Sequence, residues 1–310
     1  MVKPHNKPVS DFIMPLHING LQGRMLHMPA PAGKKREILL IYGHHASLER
    51  LQGLAEILND YGAVTMPDLP GFGGMDSFYK IGQKATLDNF ADYLATFIKM
   101  KYRRKHVTIL GVSLGFVIAT RMLQRFPDLT KKVDLLVSAV GFTHHDDFNF
   151  TPSRHRFYLN SARVFSHTLP ATFFKNLCLN PIVLRLAYSK TKNAKKRFEG
   201  LSKSEKRISM NFEIHLWQCN DVRTYMAMGK SFLKLDNCKT KIGLPVWHIN
   251  SDNDQYFDSH RIEQHMRIVF TDFHAVRSRL RNHGPSIILD KAEARQMLPP
   301  KIRQLLAEPT

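Results

Sequence analysis

Apolar positions along this chain follow two periods in turn. At the start, FIMPLH (12–17) and RMLHM (24–28), separated by Asn19-Gly20 and Gly23, predict a pair of short extended segments. Beyond the turn-rich PAPAG (29–33), EILLIY (37–42) is an unbroken apolar run suited to a strand buried on both faces. Leu51, Leu54, Ala55, Ile57 and Leu58 then share one face of a helix over about 48–60. A strand at AVTMP (63–67), a glycine-rich loop and a helix over 86–101 follow. VTIL (107–110) reads as another strand. From Phe116 onward the period changes, with Phe116, Val117, Ala119, Met122 and Leu123 at helical spacing. VDLLVSAV (133–140) is a strand again.

Between 142 and 242 the strand rhythm stops. RFYLNSARVF, PIVLRLAY and YMAMGKSFLKL carry helical patterns, and their aromatics read as helix-packing residues. Alternation resumes with a strand at LPVWHIN (244–250), a helix over 258–269, a strand at FHAVRS (273–278) and a last helix over 290–307. Alternating strands and helices predict an α/β fold, a doubly wound, mostly parallel sheet. Residues 1–141 and 243–310 would form its core. Residues 142–242 would form a helical insertion over the carboxyl edge of the sheet, where such folds keep their sites.

Charge adds a second theme. The formal net charge is +19, and the segment 142–241 carries 18 Lys and Arg against 7 Asp and Glu. Such an excess fits an anionic surface or substrate, and it equally fits solubility alone. Within it, SKTKNAKKR offers Lys190, Lys192, Lys195, Lys196 and Arg197 as a peripheral contact with an anionic membrane surface. The competing reading is a solvated charged loop. No nucleic-acid motif accompanies the charge, so a nucleic-acid partner is not expected. No apolar run of about 18 residues suggests a spanning helix. The N-terminal MVKPHNKPVSDF has no apolar core of a secretory signal. Cys178, Cys219 and Cys238 are widely spaced and odd in number, which predicts reduced thiols in a cytoplasmic protein.

Chemistry enters where the period changes. Ser113 sits between strand and helix, with Gly111 two residues before it and Gly115 two after. A serine forced onto a tight strand-to-helix turn has its hydroxyl thrust clear of the sheet, and only glycine fits the close approaches on either side. This is the Gly-x-Ser-x-Gly elbow. A serine hydroxyl needs a base, and the base needs an orienting acid. Asp254 follows the strand LPVWHIN, and His283 follows the strand FHAVRS, in the order Ser, Asp, His. Asp252 shares the loop with Asp254; it is assigned to the turn backbone and Asp254 to the imidazole. His248, His265 and His274 fall inside predicted elements and read as packing or surface residues. His144-His145-Asp146-Asp147 has the look of a metal cluster but lacks a further ligand at sensible spacing, so no metal and no cofactor are expected. Oxyanion donors would be the backbone N–H of Leu114 and, in the loop Tyr42-Gly43-His44-His45-Ala46, that of His44. The side chains of His44 and His45 are open to a second reading, as solvent-facing loop histidines.

Taken together, these residues resemble the α/β-hydrolase superfamily. IYGHHAS resembles its oxyanion loop, DLPGFGG (68–74) its Asp-x-x-Gly-x-Gly turn, GVSLG its elbow, NSDND its acid loop and RNHGPS its histidine loop. The resemblance implies hydrolysis through a Ser113 acyl-enzyme, without a cofactor, under a helical cap formed by the insertion. Three positions depart from the usual pattern: Tyr42 stands for a histidine, Phe116 for a second glycine after the elbow, and Asn282 for a glycine before the histidine. A serine elbow argues against haloalkane dehalogenase and epoxide hydrolase chemistry, which use aspartate there. The expected substrate is a small carboxylic ester with an apolar acyl group. A thioesterase, a C–C bond hydrolase and a ligand-binding hydrolase-fold protein remain the alternatives.

Overall fold

A computed structural model describes residues 9–190, 202–251, 254–278 and 291–309. Strands β1 (Ile13–Ile18) and β2 (Leu21–Met28) form a hairpin across Asn19 and Gly20, both at positive φ. The sheet continues with β3 (Arg36–Ile41), β4 (Gly62–Pro67), β5 (Val107–Val112), β6 (Val133–Ala139), β7 (Ile242–Ser251) and β8 (Phe270–Ser278). Their order is β1-β2-β4-β3-β5-β6-β7-β8. The first two strands pair antiparallel, β2 also pairs antiparallel with β4, and every later pair is parallel. Every residue of β4 and β5 is buried, as expected for strands covered on both faces.

Helices α1 (Gln52–Asn59), α2 (Leu87–Lys101) and α3 (Leu114–Arg125) make the first crossovers. The helix expected from residue 48 begins instead as a 3-10 turn, Leu48–Leu51, before α1. Between β6 and β7 the described residues include α4 (Pro152–Phe165), α5 (Thr168–Cys178), α6 (Pro181–Lys190), α7 (Lys203–Cys219) and α8 (Val222–Phe232). This insertion has a small core of its own, built from Ala171, Leu179, Leu184, Ile214 and Val222. Met228 and Phe232 of α8 join the main core instead. The insertion is thus tied to the sheet chiefly through α8.

After β7 come α9 (Ser259–Val269), β8, α10 (Lys291–Gln296) and α11 (Pro300–Ala307). The single last helix expected over 290–307 is broken in two. Pro299 and Pro300 lack the N–H a helix needs and push the preceding residue out of the helical region. Buried Arg36 holds the C-terminal end of α11, donating to the carbonyls of Leu306 (3.0 Å) and Glu308 (2.7 Å), and it also donates to Thr108 Oγ1 (2.7 Å). Those carbonyls have no partner inside the helix. No helix among the described residues is long and apolar enough to cross a membrane.

Candidate active site

The parallel register sets Ile41 beside Gly111, Gly111 beside Ser138, and Ser138 beside His248. The chain leaves β5 at Val112, and Ser113 turns it into α3 with φ 49° and ψ −112°. A serine pays steric strain for positive φ. Its N–H donates to the Ala139 carbonyl at 2.9 Å, which fastens the elbow to β6. A Cβ on Gly111 would lie 2.6 Å from the Phe116 backbone, and one on Gly115 would lie 2.2 Å from the Ile41 carbonyl oxygen. Both flanking glycines are therefore required by close backbone approach. Gly43, after β3, comes next to the serine: a Cβ there would lie 3.3 Å from Ser113 Cβ. The oxyanion-loop candidate and the serine are neighbours in space. Leu114 is fully buried at the N-terminus of α3, where the helix dipole favours negative charge.

Two departures from the usual pattern find physical explanations. The Tyr42 hydroxyl donates to Asp68 Oδ1 at 3.1 Å and accepts from the Leu69 N–H at 2.6 Å. It thereby links the loop after β3 to the DLPGFGG turn after β4. Phe116 is fully buried against Phe270, with ring centroids 5.9 Å apart, and the space for its ring comes from Gly141. A Cβ on Gly141 would meet Phe116 Cδ1 and Ser138 Oγ, each at 2.5 Å. Gly141→Ala should therefore destabilise the protein by about 1–3 kcal/mol through overpacking. In a double-mutant cycle, Phe116→Ala should recover part of that loss, read as the shift in urea midpoint; strict additivity would refute the contact.

The DLPGFGG turn is held by a polar knot centred on a buried carboxyl. Asp68 is fully buried; Arg24 Nε donates to its Oδ2 at 3.0 Å, and Arg24 Nη2 donates to the Gly73 carbonyl at 2.7 Å. Burial pushes the Asp68 carboxyl up to about 7, against the opposing pull of Arg24. In the unfolded chain it ionises near 3.8. Between these values only the folded state holds the proton. This group's contribution to stability therefore falls as pH rises from about 4 to about 7, by up to about 1.4 kcal/mol per pH unit, and is level above. Asp68→Asn cannot titrate. The stability of wild type minus that of Asp68→Asn, from urea unfolding between about pH 4.5 and 8, should fall with that sign. A difference that stays level across that range would show that Arg24 keeps the carboxylate ionised throughout.

The reading of His44 and His45 as solvent-facing is corrected by the insertion. His44 stacks on Tyr225 (centroids 4.0 Å) and meets Phe72 and Phe232 edge-on. Its Nε2 donates to the Tyr225 carbonyl at 3.0 Å, so that nitrogen carries the proton. Burial lowers its pKa to about 4, keeping the ring neutral. His45, at φ 55°, packs on Trp217 (4.1 Å) with its Nε2 3.7 Å from Glu213 Oε2; Glu213 also pairs with Arg50. Asn220 Oδ1 accepts from the Gly73 N–H at 2.9 Å, and Thr224 fills the space beside Gly71. Helices α7 and α8 thus clamp both the loop beside the serine and the DLPGFGG turn bonded to it through Tyr42. None of these partners was visible from the loop sequence itself.

Asp254 lies just past the carboxyl end of β7, two strands from β5, and its Oδ1 accepts from the Tyr256 N–H at 2.9 Å. Asp252 and His283 lie outside the described residues, as do Lys192, Lys195, Lys196 and Arg197. His248 is fully buried and bonded to Ser138 Oγ at 2.8 Å. His274 stacks on Trp247, and His265 pairs with buried Asp147 at 2.5 Å. His144, His145 and Asp146 converge, with ligand-type atoms within 4.8 Å of one another. One nitrogen of each ring already has a partner within the insertion: His145 Nδ1 donates to the Leu235 carbonyl, and His144 Nδ1 accepts from the Asp146 N–H.

The family described as Serine aminopeptidase, S33 matches residues 32–273, from the approach to β3 into β8. The chain belongs to that family of α/β hydrolases. No curated protein matches the hydrolase by sequence. Solved structures share its fold at low identity. An esterase from Exiguobacterium antarcticum superposes with a TM-score of 0.66 at 14% identity, covering 94% of this chain and 97% of that one. An enol-lactonase from Burkholderia xenovorans LB400 gives 0.63 at 12%, covering 95% and 100%. A deformylase from Pseudomonas putida S16 gives 0.64 at 16%, covering 92% and 98%. The hydrolase therefore shares an architecture with enzymes of several hydrolytic reactions.

Proposed function

We propose that this hydrolase cleaves a carboxylic ester through an acyl-enzyme on Ser113. The Ser113 hydroxyl attacks the ester carbonyl while His283 takes its proton, and Asp254 orients and balances the imidazolium. The backbone N–H groups of Leu114 and His44 receive the oxyanion, where preorganised donors stabilise the charge as it forms. The alcohol leaves with the proton from His283. Water, deprotonated by the same histidine, then attacks the acyl carbon and releases the acid. The insertion would be the cap, with the aromatic side chains of α8 shaping a site for an apolar acyl group.

The observation that carries this reading is the conformation of Ser113. A strained positive φ, two glycines each under close backbone contact and a helix beginning at the next residue are costly features to assemble around a polar residue. A fluorophosphonate probe tests it. Labelling should map to the Ser113 peptide and be abolished in Ser113→Ala, with turnover on a series of nitrophenyl esters revealing the preferred acyl length. Failure to label the native protein would overturn the serine-hydrolase reading. Labelling without turnover of any ester would move the activity to a thioester or a C–C bond.

A further inference from the structure

The aromatics and aliphatics of the insertion, read from sequence as helix-packing residues, are only partly so. Ten of the thirteen large apolar side chains that stand exposed among the described residues belong to its helices. On α5 they form one stripe: Leu169, Phe173 and Leu177, four residues apart, are 83%, 65% and 55% exposed. Ile182 and Leu186 repeat the spacing on α6, and Phe157 stands out from α4. These are not faces awaiting the hydrolase core. The same helices already bury Ala171 and Leu184 against Ile214 and Val222. The exposed stripes are their other sides. A folded protein rarely leaves so many large apolar side chains open on neighbouring helices without a use.

Charge identifies the use. Residues 151–190 contain six Lys and Arg and no Asp or Glu. Arg156, Arg163 and Arg185 are exposed on the very helices that carry the stripes. Apolar helix faces flanked only by cations are what an anionic lipid surface selects, since side chains enter the acyl boundary while guanidinium groups stay with the headgroups. Two copies of such a face would oppose each other through like charge, which disfavours self-association.

We propose that the outer face of α4, α5 and α6 docks this hydrolase on an anionic lipid surface. Contact lies on the described helices, and the lysine-rich run that follows α6 is not needed for it. Docking is independent of the ester-hydrolase reading, because it is read by binding alone.

The test is co-sedimentation of the full-length protein with vesicles of phosphatidylcholine, with and without about 30 mol% phosphatidylglycerol. At low salt, partitioning onto the anionic vesicles should exceed that onto the neutral ones by at least about tenfold, and moderate salt should weaken it. The double variant Leu169→Asp, Phe173→Asp should lose at least about tenfold of that binding. The charge variant Arg156→Glu, Arg163→Glu, Arg185→Glu should lose it as well. Because aspartates could disturb folding, Phe173→Trp gives a conservative readout: its fluorescence, after subtraction of wild type, should shift to the blue on anionic vesicles only. Wild type that ignores anionic vesicles at low salt, or a Phe173→Trp spectrum that they do not move, overturns the proposal. Binding that survives the Leu169 and Phe173 changes in a folded variant overturns the apolar contact. A wild-type dimer that becomes monomeric in that variant, without vesicle binding, assigns the face to a second copy instead.

Discussion

Ser113→Ala should lower kcat on the best nitrophenyl ester by on the order of 10⁶, while the protein keeps its fold. On the proposed mechanism, the substitution removes the oxygen that would form the acyl-enzyme at the start of α3. Alanine keeps the Cβ, so the strain at φ 49° remains and the turn is unchanged. Ser113→Gly should be equally inactive and yet different. Glycine visits this region freely, so relief of about 1–3 kcal/mol of strain opposes a loss of about 0.5–1 kcal/mol from its freer unfolded chain. Ser113→Gly should therefore melt above Ser113→Ala. Activity within tenfold of wild type in either variant, with contamination excluded, would remove Ser113 as the nucleophile. Equal melting temperatures would show that the backbone, and not the side chain, chooses the elbow conformation.

The elbow was readable because three local signals coincide there. An apolar strand run ends, helical spacing begins at Phe116, and glycines flank the only polar residue between them. The strands were readable for a similar reason: in β3 Ile38 to Ile41 form an unbroken apolar run, and β4 and β5, buried on both faces, carry short apolar stretches. What supports the site was not readable. Tyr42 reaches Asp68, Asp68 meets Arg24, and Gly141 makes room for Phe116, through contacts set by the order of strands in the sheet. Each partner alone is an ordinary residue. His44 and His45 fell between two readings because Trp217, Tyr225 and Phe232, which enclose them, lie far along the chain in the insertion. Helical spacing in PIVLRLAY likewise located α6 but not its outer side, since an apolar stripe looks the same whether a core or a membrane covers it. The break at Pro299-Pro300 was legible in principle, and the apolar period carried the helix too far.

Asp254→Asn should lower kcat by about 10⁴, and Asp252→Asn by far less. Strand β7 delivers Asp254 to the carboxyl edge of the sheet, two strands from β5. Asparagine keeps an oxygen for the Tyr256 N–H, so the 2.9 Å bond that holds the side chain survives and the loop should not move. The negative charge does not survive. On the proposed mechanism, an amide facing the His283 imidazole would stabilise the wrong tautomer and do nothing for the imidazolium that would form when Ser113 gives up its proton. The loss should therefore fall on kcat with little change in KM, as for an interaction made in the transition state. The acid limb of the rate profile should also move to lower pH, because a histidine without its carboxylate is harder to protonate. A merely structural aspartate would instead lower the melting temperature and leave that limb in place. If Asp252→Asn causes the larger loss, the acid lies two residues earlier in the loop and Asp254 serves the turn.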